Sequence, residues 1–178
     1  MKTKDRLVQA AARLFRQRGY DGVSVDEILK EAEAPKGSLY HHFPKGKADL
    51  ALAASDWSSE RMVAVIEAAF DDAHSPEDGL TTLCHKLARL FELSRGREGC
   101  PISATLFSQR DDDLFRDHSR ALYENWIARL ARHLEKLGEE TASAASRAQR
   151  TFLLIQGGWV LARARGDAEV LRALPEML

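Results

Sequence analysis

Cysteine is nearly absent from this chain, with only Cys84 and Cys100 among 178 residues. Two thiols cannot make the disulfide framework of a small secreted scaffold, and their spacing is not that of a zinc motif, so both are expected to be reduced. No uncharged apolar run approaches the ~20 residues needed to cross a bilayer, which argues against membrane residence. The opening Met1-Lys2-Thr3-Lys4-Asp5 leads into an amphipathic segment rather than an apolar signal region, and the expected compartment is the cytoplasm. Signatures of catalysis are also missing. The chain has no Gly-x-Ser-x-Gly, no phosphate loop and no His-Glu-x-x-His, and the neighbours Cys84 and His85 fall on different faces of a helix, so an enzyme is not expected. Neither a metal nor a cofactor is expected, because Asp111-Asp112-Asp113 precedes a helix whose dipole it complements.

Strand-like alternation is lacking too, whereas apolar residues recur at helical spacing throughout. The expected fold is therefore all-α. Leu7, Ala10, Ala11, Leu14 and Phe15 mark a first helix over residues 3–18, closed by Gly19. Ser24-Val25-Asp26-Glu27 is a capping box that opens a second, short helix on Val25, Ile28, Leu29 and Ala32. Pro35 disfavours helix for the residue before it and suits a first helical position, so a third helix is expected from Pro35 or Lys36 to His42. A long helix from Lys47 then runs to the break at Asp71–Pro76. Further helices follow on Leu80–Phe91, Ile102–Ser108, Phe115–Leu137 and from Thr141, with a last one holding Val170, Leu171 and Leu174.

Charge is distributed unevenly between the ends. Residues 1–50 carry ten Lys or Arg against seven Asp or Glu, a net +3, while residues 51–178 carry 16 against 20, a net −4. A local basic surface rather than a basic protein is what a polyanion requires. Two short helices joined by a tight turn, the second presenting Lys36, Ser38, Tyr40, His41 and His42, have the layout of a helix-turn-helix. Lys36 is suited to a phosphate as a point charge, and Gly37 permits close approach of the backbone. Ser38 and Tyr40 offer hydroxyl donors, while His41 and His42 can reach phosphate or a base edge.

The order Gly19-Tyr20-x-x-Val23-Ser24-Val25-x-x-Ile28, followed by Ala32-x-x-x-Lys36-Gly37-Ser38-Leu39-Tyr40-His41-His42-Phe43, closely resembles the N-terminal domain of TetR-family regulators over about residues 5–50. The resemblance implies a three-helix helix-turn-helix domain over residues 1–46 and a helical ligand-binding and dimerisation domain over residues 47–178. It also implies a repressor that a small-molecule effector releases from double-stranded DNA. Ser24, Lys36, Gly37, Ser38, Tyr40, His41, His42 and Lys47 are the expected DNA-binding residues. The sequence departs from the family pattern at three places. Glu33 holds a turn position that is often glycine, Pro35 one that is often serine, and Phe43-Pro44-Lys45-Gly46-Lys47 has one residue more than the commonest spacing before the lysine.

A homodimer on a near-palindromic operator is expected, since one short recognition helix reads too few base pairs to find its site. The segment Phe152–Ala162, apolar on every face and broken by Gly157-Gly158, is the expected dimerisation element. Candidate effector-binding residues are Trp57, Phe107, Tyr123 and Trp126. His118 and His133 are expected to be structural. Cys84 is expected to be inert packing, whereas Cys100, in a loop after Arg95 and Arg97, is the candidate redox sensor. The rival readings are an activator, or a regulator without a small-molecule effector that responds through Cys100.

Overall fold

The computed structural model describes residues 2–107 and 113–178. The described residues form helices α1 (Thr3–Arg18), α2 (Val25–Glu31), α3 (Ser38–His42), α4 (Lys47–Phe70) and α5 (Pro76–Leu93). They continue as α6 (Pro101–Leu106), α7 (Asp113–Lys136), α8 (Thr141–Arg165) and α9 (Glu169–Arg172), with a closing 3-10 turn over Leu174–Met177. No described helix is long and apolar enough to cross a membrane. Of the Asp111–Asp113 run, only Asp113 is among the described residues; it opens α7 and pairs with Arg116.

The chain divides into two compact units. One comprises Met1–Glu60 with Gly99–Leu122, the other Arg61–Glu98 with Tyr123–Leu178. The first unit is built on the stripe of α1 that the sequence marks, with Leu7, Ala11 and Phe15 fully buried together with Ile28, Leu39, Leu50 and Ile102. Each of the large side chains among these, leucine, isoleucine or phenylalanine, stabilises the fold by about 1.5–3 kcal/mol when removed from water. The C-terminal end of α1 is held by α6 and its approach, where the Gly99 N–H donates to the Arg16 carbonyl at 2.9 Å. Tyr20, just past that end, packs on Phe15 at 5.6 Å and edge-on against Phe115 at 5.3 Å.

In the second unit Leu80, Leu83, Leu87, Trp126, Leu130 and Leu134 are buried with Ala144, Ala148, Ala162 and Leu171. The Trp159 indole N–H donates to the Glu98 carbonyl at 3.0 Å, which satisfies the polar end of a buried ring. His133 bonds Glu67 at 2.8 Å and lies over Phe70 at 4.9 Å, so it is tied into the structure as expected. His118 bonds Asp56 at 2.7 Å within the first unit.

Helix α8 buries only one side of its apolar segment within its own unit. Phe152, Ile155, Trp159 and Ala162 are buried, but Leu153, Val160 and Leu161 are 65, 67 and 48% exposed. The two glycines divide along the same line. A Cβ on Gly158 would lie 3.0 Å from a Leu174 methyl, whereas one on Gly157 would meet nothing within 4 Å. Gly158 therefore serves close packing inside its own unit, and Gly157 belongs to the open apolar face.

Candidate nucleic-acid interface

The interface begins with the capping box that places α2. The Ser24 hydroxyl accepts from the Glu27 N–H at 3.2 Å, while the Glu27 carboxylate accepts from the Ser24 N–H and hydroxyl, each at 2.8 Å. Arg18, at the end of α1, reaches the same carboxylate at 2.7 Å. The Ser24 N–H bond foremost, then Arg18 and the Ser24 hydroxyl, hold the Glu27 carboxyl at about 2, well below the ordinary carboxylate range. Ser24, expected to bind DNA, thus has its hydroxyl engaged in capping α2, while the Arg18–Glu27 pair ties that cap to the end of α1.

Helix α2 ends in a Schellman motif. The Ala34 N–H donates to the Leu29 carbonyl at 2.9 Å and the Glu33 N–H to the Lys30 carbonyl at 3.1 Å. The motif requires a left-handed residue at Glu33, whose φ is +48°. A position that glycine fills without steric cost is here filled by an exposed glutamate. Next, the Pro35 carbonyl accepts from the Ser38 N–H at 3.0 Å and the Ser38 hydroxyl at 2.6 Å. This turn takes up Pro35, Lys36 and Gly37. The recognition helix α3 consequently starts at Ser38 rather than at Pro35 or Lys36, and it is five residues long.

One face of α3 is anchored by Leu39, fully buried, with Phe43 nearly so just beyond its end. The other carries most of the sequence-predicted residues outward. Tyr40 is 63% exposed, and Lys36, Gly37 and His41 are exposed as well. His42 is half-buried and meets His41 edge to face, ring centroids 4.8 Å apart. Ser38 is also half-buried, with its hydroxyl turned back to Pro35. The structure thus brings Lys36, Gly37, Tyr40, His41 and His42 to one short surface.

Lys47 lies differently from its expected direction. It begins α4, but its ammonium stands 4.1 Å from the Tyr20 ring centroid and 5.9 Å from that of Phe15. A cation over an aromatic face is worth about 0.5–2 kcal/mol depending on desolvation, so this lysine pins α4 to α1. Sequence reading missed the seat. Its only signal was the aromatic Tyr20 beside Gly19, and which helix face Tyr20 meets is a tertiary fact.

The four aromatic residues expected around an effector separate. Trp57 and Phe107 belong to the first unit, Tyr123 and Trp126 to the second. Trp126 is fully buried in a ring cluster with Tyr123 at 5.6 Å and Phe152 at 5.5 Å, whereas Phe107 is 65% exposed. An open cleft of about 400 Å³ in the second unit, lined by Phe91, Glu92, Arg95, Asp167 and Arg172 among others, includes none of the four. Cys84 is buried, and desolvation pushes its thiol up to about 11, as expected of an inert thiol. Cys100 is half-exposed in the position just before α6.

Comparison with known proteins bears on the whole chain. Residues 7–54 match the family described as bacterial regulatory proteins, tetR family. Residues 76–177 match the C-terminal domain of LmrA/YxaF-like transcriptional regulators. The chain is 30% identical to the HTH-type transcriptional regulator LmrA of Bacillus subtilis, over 89% of this chain and 85% of that protein. It is 28% identical to the uncharacterized HTH-type transcriptional regulator YxaF of the same organism, over 99% and 93%. Its fold is similar to that of the TetR-family regulator CifR, solved as a cysteine mutant with 26-base-pair double-strand operator DNA. That likeness has a TM-score of 0.83 at 21% identity and covers 97% of this chain and 93% of CifR. With both its helix-turn-helix and its C-terminal domain matched, the chain belongs to the TetR family of bacterial transcriptional regulators.

Proposed function

We propose that this regulator is a homodimeric repressor which reads a near-palindromic DNA operator in the cytoplasm and is released from it by a small-molecule effector. Residues 1–46 form the DNA-binding domain in this reading, and residues 47–178 the effector-binding and dimerisation domain. The observation that carries it is the recognition surface itself. Tyr40 and His41 stand outward on a helix that Leu39 and, just past its end, Phe43 hold from behind, and Lys36 is exposed in the turn that leads into it. That combination supplies a point charge and a phenolic donor for phosphate together with an imidazole for phosphate or a base edge. Ser24 and Lys47 act one step removed, by placing the helices that carry this surface.

The dimer reading is supported by the open stripe Leu153, Gly157, Val160 and Leu161 on α8, an apolar face that a second copy of the chain would cover. In the effector reading Tyr123 is the best placed of the four aromatics, since it is half-buried at the edge of the Trp126 and Phe152 cluster. No catalytic role is assigned.

The test is selection of bound sequences from a random duplex library by the purified full-length protein at near-physiological salt. An enriched palindrome with half-sites about 34–36 Å apart, or a multiple of that, is the expected result. Absence of enrichment by folded, dimeric protein would refute specific DNA reading.

A further inference from the structure

We propose that Lys45, in the loop after the recognition helix, supplies the phosphate-binding cation that the sequence pattern assigns to Lys47. The inference rests on the DNA-binding reading above and concerns how that binding is divided between two lysines.

The loop Phe43-Pro44-Lys45-Gly46 is a tight turn. The Gly46 N–H donates to the Phe43 carbonyl at 2.8 Å, which leaves Pro44 and Lys45 at the two exposed corners. Gly46 closes the turn at φ +69°, and a Cβ there would lie 3.2 Å from Cε1 of Tyr40, so the turn is folded against the phenol ring of the recognition helix. The Asp49 carboxylate, in the first turn of α4, accepts from the Lys45 N–H at 2.8 Å and fixes the backbone that carries the lysine. Among the described residues no carboxylate pairs with the Lys45 ammonium, whereas Arg13 and Arg18 are tied to Glu31 and Glu27. Lys4, whose ammonium lies 5.9 Å from the Phe43 ring centroid, adds positive charge beside the same loop.

Lys47 is placed for a different task. Reaching a phosphate would take its ammonium off the Tyr20 face, 4.1 Å away. The start of α4 offers no free backbone donor at this loop in its place, because the Lys45 N–H already donates to the Asp49 carboxylate. The additional residue in this loop therefore moves the exposed cation two positions earlier, into the turn whose Gly46 packs on Tyr40, and frees Lys47 to hold α4 against α1.

The test measures binding of the full-length protein to a random-sequence duplex, and to an enriched operator where one is found, across a series of KCl concentrations. Wild type, Lys45→Ala, Lys45→Arg and Lys47→Ala are compared, each with its melting temperature. A lost phosphate contact lowers the slope of log affinity against log salt by about 0.9, so a dimer losing two contacts loses about 1.8. Lys45→Ala is expected to lose that slope on both duplexes at an unchanged melting temperature, and Lys45→Arg to retain it. Lys47→Ala is expected to keep the slope and melt at lower temperature. An unchanged slope in Lys45→Ala overturns the proposal, as does a loss of about 1.8 in Lys47→Ala without a change in melting. Should Lys47→Ala not fold, the Lys45→Ala slope alone decides. Wild type that binds neither duplex refutes the DNA-binding reading, and the assignment with it, before any variant is compared.

Discussion

Replacing Glu33 by glycine should stabilise the protein, and the size of the gain follows from the geometry of the turn. Glu33 sits at φ +48° in the Schellman motif that ends α2, with both hydrogen bonds of the motif made. A side chain in left-handed geometry costs about 1–2 kcal/mol through the contact of Cβ with the following carbonyl. Glycine removes that cost but orders a more flexible unfolded chain, a loss of about 0.4–1 kcal/mol. The net stabilisation is about 0.5–1 kcal/mol, which in a chain of this size raises the melting temperature by about 1–4 °C. Thermal unfolding of Glu33→Gly and Glu33→Ala, side by side with wild type, separates strain from charge. Both variants remove the carboxylate, but only glycine relieves the backbone. A small rise in DNA affinity common to the two would report the lost negative charge, which screening over a Debye length of about 8 Å keeps modest. Equal melting temperatures for the two variants would refute the strain argument and require Glu33 to sit outside left-handed geometry in solution.

The two adjacent glycines of α8 should respond in opposite ways. Gly157→Glu is expected to leave the melting of a monomer intact while sedimentation shows loss of the dimer, whereas Gly158→Glu, facing Leu171 and Leu174, is expected to impair folding itself. A Gly157→Glu protein that stays dimeric would remove α8 from the interface. The first unit should lose stability in acid, because the Glu27 carboxyl titrates at about 2 when folded and near 4.5 when free. Its contribution is complete above the free value and is lost as pH falls from about 4.5 toward 2, so Glu27→Gln should flatten unfolding measured by circular dichroism across that window. An unchanged acid limb in the variant would refute this. Arg147, mostly buried, pairs with Glu77 at 2.9 Å and with the equally buried Glu139. Arg147→Met should cost about 2–4 kcal/mol in denaturant unfolding by stranding the Glu139 charge, and adding Glu139→Gln should recover part of that loss. A double variant no more stable than the single one would show that the stranded charge is not the cause.

What could be read in the sequence and what could not differ in physical kind. The span of α1 was legible because its stripe from Leu7 to Phe15 and its stop at Gly19 are both local, and the structure gives Thr3–Arg18. The capping box was legible for the same reason, since Ser24 and Glu27 satisfy one another without help from the rest of the chain. The start of α3 was not. Proline suits a first helical position, yet here the Pro35 carbonyl is used to turn the chain onto Ser38, after a left-handed Glu33 that no propensity favours. The Gly157-Gly158 pair marks close packing in the sequence, but which member faces the core depends on the phase of α8 against Leu171 and Leu174. Lys47 shows the same limit at the candidate site. A motif assigns a residue type to a position, but the direction of a flexible cation is decided by what packs beside it, in this chain the face of Tyr20. Position along a helix can thus be inferred from periodicity, while the division of charge between exposed contact and internal support depends on partners distant in sequence. In the proposed DNA-binding surface that division falls at Ser24, whose exposed hydroxyl is engaged in its own capping box, and at Lys47, whose ammonium lies over the Tyr20 ring.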